Sequence, residues 1–236
     1  YTKVLARDAS QELSLYKKAC DCLLELHLNE APQDLPSYNH ALLFREVMLF
    51  VDWYLPLQKK SISGQERARF KFLWFKIFDQ LSQFKSLRDH LQKNEEPVLV
   101  LRDYHADNLM ILPERVGSAQ VGLLDFQDAV LGSKAYDLVS LLEDARRDVS
   151  EENRVKIFEY YLSSASCDQE AFKTDYEILS LQRNMKILGI FARLSLRDGK
   201  HSYLNLLPRV LGFVRLRLES KNPIFLEISQ LIKKLI

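Results

Sequence analysis

Cysteine, glycine, net charge and long apolar runs are all scarce in this 236-residue chain. Its three cysteines cannot all pair with one another. Cys20 and Cys22 lie two apart on an expected helix and point in different directions. The chain therefore reads as a reduced, cytoplasmic protein. The seven glycines are dispersed and form no glycine-rich loop. A net charge of +1 leaves no electrostatic footprint for nucleic acid or a membrane surface. No apolar run approaches the roughly 18 residues of a membrane span, and no signal peptide is read. The chain opens on Tyr1 rather than Met, so its natural N-terminus is expected to be missing. There are no internal repeats, low-complexity runs or clear linkers. The hydrophobic share of 47% argues against disorder, and the length suits one domain or one large lobe.

What the chain has is helical periodicity. Asp8 and Gln11 form an expected capping pair. Leu13, Tyr16, Cys20, Leu23 and Leu24 mark one face of a helix ending near Asn29. Residues 31–37 carry two prolines and read as a loop. A second helix, 40–55, presents Leu43, Val47, Phe50 and Tyr54 and is ended by Pro56. A third, 65–84, carries Phe70, Leu73, Trp74, Ile77 and Leu81 as core, and 86–92 forms a short helix. Later helices are expected over 136–148, from the Ser150 cap to Tyr161, and over 174–197, 203–219 and 223–236. Arg209, Arg215 and Arg217 read as solvated.

One stretch, Val98 to Asp128, breaks this pattern. Val98 to Leu101 is a short buried strand. The polar burst Arg102-Asp103-Tyr104-His105-Ala106-Asp107-Asn108 follows. A second strand covers Leu109 to Leu112, and a third runs from Gln120 to Leu124 and ends in Asp125-Phe126-Gln127-Asp128. The fold class is thus α+β, mostly α, with a small β hairpin carrying acidic residues at its strand ends.

The chemistry this island suggests is phosphoryl transfer. That reaction needs a carboxylate to orient an attacking hydroxyl and accept its proton, and oxygen ligands to hold Mg²⁺ on nucleotide phosphates. Asp103 and Asn108 have the D-x-x-x-x-N spacing of a kinase catalytic loop. Asp125 follows an apolar strand and precedes Phe126, as a kinase's principal metal-binding carboxylate does. The spacing alone is weak, but strand, D-x-x-x-x-N, strand, turn, strand and D-F together are specific. The competing view makes Asp103 and Asn108 turn residues and Asp125 a helix cap.

These residues resemble the aminoglycoside/choline phosphotransferase superfamily, small-molecule relatives of protein kinases. The blocks LRDYHADNLMILPER, VGLLDFQDAVLG, AYDLVSLLEDARRDV and QRNMKILGIFARLSLRDGKHSYLNLLPRV are similar to the bacterial anomeric kinases of cell-wall recycling. Those enzymes phosphorylate N-acetylmuramate and N-acetylglucosamine. The resemblance implies a protein-kinase-like C-lobe using ATP and Mg²⁺, with Asp103 as catalytic base and Asn108 and Asp125 as metal ligands. It implies that Asp137 braces the catalytic loop. Leu101 stands where the wider superfamily usually has His, and Gln127 where protein kinases have Gly; both fit the sugar-kinase subgroup. No glycine-rich loop or lysine-bearing strand is present. The N-terminal nucleotide lobe is therefore expected outside this chain, leaving the fragment alone inactive.

Substrate candidates come from the residues themselves and, for the run after residue 142, from what the resemblance implies. Asp52 beside Trp53 suits sugar hydroxyls and a pyranose face, or is simply an exposed acid next to a packed ring. Glu143, Asp144 and Arg147 lie in a charged run that is either a solvated helix face or the border of the acceptor pocket, with Arg147 suited to the lactyl carboxylate of N-acetylmuramate. Arg183 and Asn184 either line the acceptor site or hydrogen-bond between helices. The acceptor is expected to be a small-molecule sugar. A kinase for an aminoglycoside or choline, or a non-catalytic helical binding module, remains the alternative.

Overall fold

The structure, a computed structural model, describes residues 1–32, 34–89 and 96–236. The helices are α1 Thr2–Arg7, α2 Glu12–Leu28, α3 His40–Leu49, α4 Leu55–Leu57, α5 Gly64–Phe78 and α6 Ser82–Asp89. The strands β1 Val98–Val100, β2 Leu109–Ile111, β3 Val121–Leu123 and β4 Val130–Gly132 follow. Then come α7 Ala135–Leu142, α8 Glu151–Ser164, α9 Gln169–Leu196, α10 Leu207–Leu218 and α11 Leu226–Leu235. This is the mostly helical α+β class with a short hairpin. Among the described residues no helix is long and apolar enough to cross a membrane.

The chain divides into two compact units. One holds Tyr1–Tyr38 and Ser86–Tyr176; the other holds Asn39–Lys85 and Glu177–Ile236. In the first, β1 pairs antiparallel with β4 (Val98 opposite Gly132) and β2 with β3 (Leu109 opposite Leu123). Strand β4 was not read from the sequence. Two apolar residues before a glycine give too short a signal, and Val130 becomes a strand residue only because Val100 lies opposite. Helix α2 buries Leu15, Tyr16, Ala19, Cys20 and Leu23. Leu13 and Leu24, expected on that face, are only half-buried. Asp21 accepts from the Tyr160 hydroxyl of α8 at 2.5 Å, and Lys17 lies 5.1 Å from the Tyr160 ring centre. Tyr16, Tyr104, Tyr136 and Tyr161 are fully buried in this unit. Burying these rings removes a large apolar area from water.

In the second unit the expected stripes hold. Leu43, Val47, Phe50 and Tyr54 are buried, as are Phe70, Leu73, Trp74, Ile77 and Leu81. Helix α5 ends at Phe78 rather than near Phe84, and a turn separates it from α6. At that turn Asp79 accepts from His40 Nε2 at 3.0 Å. Residues 90–92 of the expected 86–92 helix, and Gln33 in the proline loop, lie outside the described residues. Pro56 does not end its helix: the backbone runs on as a π-helix over Phe50–Tyr54 and then through α4. Helix α9 starts at Gln169, earlier than expected, because the Asp168 carboxylate accepts from the N–H groups of Glu170 (2.9 Å) and Ala171 (3.1 Å). Arg217 is not simply solvated: its Nε donates to Ser180 Oγ at 2.8 Å.

Helix α7 ends at Leu142, where Glu143 leaves helical geometry at φ −114°, ψ 50°. The charged run Glu143 to Asp148 is therefore irregular chain, not a helix face laced by i,i+4 pairs. Glu143 and Asp144 are buried at 2% and 1% exposure.

Candidate active site

The segment after β1 is held by helix α7. The Asp137 carboxylate accepts from Leu101 N–H at 2.6 Å and from Arg102 N–H at 2.9 Å. One turn on, Ser140 Oγ donates to the Arg102 carbonyl at 3.2 Å. Both backbone groups of Arg102 are thus bound, and Arg102 sits at φ 71°. Left-handed backbone in a side-chain-bearing residue costs on the order of 1 kcal/mol and persists only where surroundings impose it. Here Asp137 and Ser140 impose it. The Arg102 guanidinium lies 5.6 Å from the Tyr38 ring centre, and Nη1 donates to the Asp128 carbonyl at 3.3 Å.

The reversal at Arg102 sends the next two side chains opposite ways. Tyr104 is buried, and its hydroxyl donates to the Ala19 carbonyl at 2.8 Å. Asp103 is exposed. Among the described residues its carboxylate has no hydrogen bond or ion pair. The loop closes on itself: Asn108 Nδ2 donates to the Asp103 carbonyl at 3.0 Å. Using Nδ2 this way turns the amide oxygen of Asn108 away from that contact.

The β2–β3 ladder adds one rung beyond its named strands, with Leu124 N–H donating to the Asn108 carbonyl at 3.0 Å. Asp125 is the next residue, exposed and at φ 60°. One carboxylate oxygen accepts from Gln127 Nε2 at 2.9 Å. Asp103, Asn108 and Asp125 are therefore tied together by one side-chain bond, Asn108 to the Asp103 carbonyl, and one backbone rung, Leu124 to Asn108, with Asp125 next in the chain. Exposed Met110, Leu124 and Phe126 flank them.

This donor set suits Mg²⁺. A carboxylate and an amide oxygen are hard ligands, and Mg²⁺ takes one or two protein oxygens with phosphate and water rather than an all-protein cage. Among the described residues no cluster of three or more His, Cys, Asp or Glu could hold a metal by itself.

The other expected site residues fall into three settings. Glu143 accepts from the Tyr176 hydroxyl at 3.3 Å, and Asp144 Oδ1 accepts from Arg146 N–H at 2.8 Å. Arg147 Nη2 donates to Glu12 at 3.1 Å; Glu12 also accepts from Asn153 Nδ2 (2.7 Å) and Ser150 N–H (3.3 Å). Burial pushes the Glu12 carboxyl up, but the hydrogen bonds from Asn153, Arg147 and Ser150 outweigh it and hold it below the usual range. In the second unit, Asp52 lies on the π-helix and accepts from Arg67 Nη2 at 2.7 Å, with Trp53 half-buried beside it. Arg183 and Asn184 are buried, and Asn184 Nδ2 donates to the Ser180 carbonyl of its own helix at 2.9 Å. Next to them Gln182 and Lys186 bind Glu46 of α3, at 3.3 and 3.0 Å.

The sequence reading missed Arg146. Its Nη1 meets His105 Nε2 at 3.4 Å, and its Nε lies 3.9 Å from Asp107 Oδ2. Both partners belong to the Asp103–Asn108 loop. The charged run gave no signal to separate Arg146 from Arg147.

Residues 2–173 match the phosphotransferase enzyme family. The chain is 37% identical over 218 residues to an N-acetylmuramate/N-acetylglucosamine kinase of Caulobacter vibrioides, covering 87% of this chain and 56% of that protein. It is 31% identical over 229 residues to the kinase of the same name in Pseudomonas aeruginosa, covering 94% and 63%. The chain thus spans about three fifths of the length of these curated relatives. Its fold resembles that of the AMP-bound spectinomycin phosphotransferase APH(9)-Ia, with a TM-score of 0.56 at 15% identity, over 89% of this chain and 67% of that one. With well over half of its residues matched, the chain belongs to the phosphotransferase enzyme family.

Proposed function

We propose that this chain is the catalytic lobe of a kinase that moves the γ-phosphoryl of ATP to a hydroxyl of an amino sugar. The acceptor is N-acetylmuramate or N-acetylglucosamine, at the anomeric C1 hydroxyl. The nucleotide lobe is assigned to the part of a longer protein beyond these residues, as the length of the relatives suggests. The observation that carries the reading is the linkage of Asp103, Asn108 and Asp125 through the Asn108 side chain and the Asn108–Leu124 rung.

Asp103 orients the acceptor hydroxyl and takes its proton as the oxygen bonds to phosphorus. An exposed carboxylate with no side-chain partner among the described residues is available for that role. Asn108 and Asp125 would hold Mg²⁺, which, when bound, neutralises charge on the transferring phosphoryl group. Asp137 fixes the backbone from which Asp103 projects. Rate enhancement comes from positioning and charge neutralisation rather than a covalent intermediate. The low cysteine content, three in 236 residues, suits a cytoplasmic setting.

The test uses the full-length protein with Mg²⁺-ATP and, separately, N-acetylmuramate, N-acetylglucosamine, choline and kanamycin, following ADP release. Turnover with the two amino sugars supports the reading. Turnover with choline or kanamycin alone, or with no acceptor, contradicts it.

A further inference from the structure

Two adjacent arginines, Arg146 and Arg147, end in opposite circumstances. Arg147 is spent inside the protein. Its Nη2 meets Glu12 at 3.1 Å, the two side chains keep only 20% and 8% exposure, and Asn153 and Ser150 complete the Glu12 shell. The Glu12 carboxylate offsets the Arg147 charge, so the pair as a whole is neutral. Arg146 keeps 40% of its side chain in solvent while its backbone is fixed. Asp144, 1% exposed, accepts its N–H at 2.8 Å, and Ala145 before it is buried.

The Arg146 side chain then reaches back to the catalytic loop. It touches His105 and Asp107, two and four residues after Asp103. An arginine N–H can only donate, so His105 Nε2 is the acceptor in this contact. The approach to Asp107 is long, at 3.9 Å, and Asp107 is 42% exposed. Such an open pair contributes little. A ligand carboxylate that accepts two parallel N–H bonds from the guanidinium outcompetes it.

We propose that Arg146 is the specificity-determining residue that reads the carboxylate of an acidic acceptor. The proposal rests on the amino-sugar kinase reading above. It assigns to Arg146 the lactyl carboxylate that distinguishes N-acetylmuramate from neutral N-acetylglucosamine. Asp144 acts through Arg146 as a positioning residue.

The experiment measures kcat and KM for both sugars at saturating Mg²⁺-ATP in the full-length enzyme and in Arg146→Gln and Arg146→Lys. For Arg146→Gln, the kcat/KM ratio of N-acetylmuramate to N-acetylglucosamine is expected to fall about tenfold, the scale of one charge-assisted contact. The fall should lie in KM. Arg146→Lys should recover part of the ratio. A ratio unchanged in both variants, while the parent enzyme turns over both sugars, overturns the assignment to Arg146 and leaves the kinase reading standing. A parent enzyme that turns over neither sugar overturns both. Should Arg146→Gln lose turnover with both sugars, calorimetric binding decides: selective loss of N-acetylmuramate affinity supports the assignment, and equal loss for both sugars overturns it.

Discussion

The Asp137 carboxylate holds the backbone N–H of Arg102 at 2.9 Å while Arg102 sits in left-handed geometry at φ 71°. Asp103 follows directly, so a buried acid on α7 sets where the exposed acid of the loop projects. Asp137→Ala leaves two backbone donors without their acceptor. The expected cost is about 2–3 kcal/mol, read as a lower urea midpoint, with turnover of the full-length enzyme falling as well. Unchanged stability and turnover would remove Asp137 from this role.

Gly189 is where α9 passes the end of α3. A Cβ there would collide with the backbone carbonyl of Leu49, which cannot swing aside as a side chain can. Gly189→Ala is expected to cost about 3 kcal/mol or more in urea unfolding. Gly212, inside α10, is its control, because a Cβ there meets open space. Gly212→Ala should stabilise by about 0.5–1 kcal/mol. Equal effects at the two glycines would contradict the close crossing.

Glu12 ties stability to pH. Its carboxyl titrates below the usual range when folded, so its contribution is complete above pH 4.5, the ordinary value, and is lost as pH falls through the folded pKa. Glu12→Gln should be less stable than the parent by about 3 kcal/mol at pH 7, the low end for breaking a buried pair. That gap should shrink steadily below pH 4.5. His27, pushed down to about 3 by burial and then by Lys134, makes both proteins acid-sensitive from pH 6.5 downward, and its contribution cancels in the difference. A gap independent of pH would contradict the role of the Glu12 charge.

The D-x-x-x-x-N loop and the D-F pair were legible because their meaning is local: residue type, spacing and flanking apolar strands suffice. The aromatic stripe of α5 was legible because the helical period marks it. What stayed hidden depends on partners far along the chain. Strand β4 exists because β1 lies opposite. The π-helix begins just after Leu49, where Gly189 lets another backbone close in. The end of α7 at Leu142 was misread because the run after it looks like a solvated helix face, whereas tertiary packing buries Glu143 and Asp144. Arg146 and Arg147 are the same residue type side by side. Only Glu12, 135 positions away in sequence, separates the one neutralised inside from the one left at the loop.

If the exposed carboxylate of Asp103 takes the acceptor's proton, Asp103→Asn removes that base while keeping the size and shape of the side chain. Turnover of N-acetylglucosamine by the full-length enzyme would be measured beside urea unfolding of the same sample. Because Asp103 has no side-chain partner among the described residues, stability should stay within about 0.5 kcal/mol of the parent. The value of kcat should fall at least about a hundredfold, the scale of a lost general base. A stable Asp103→Asn enzyme that turns over at the parent rate would contradict the account.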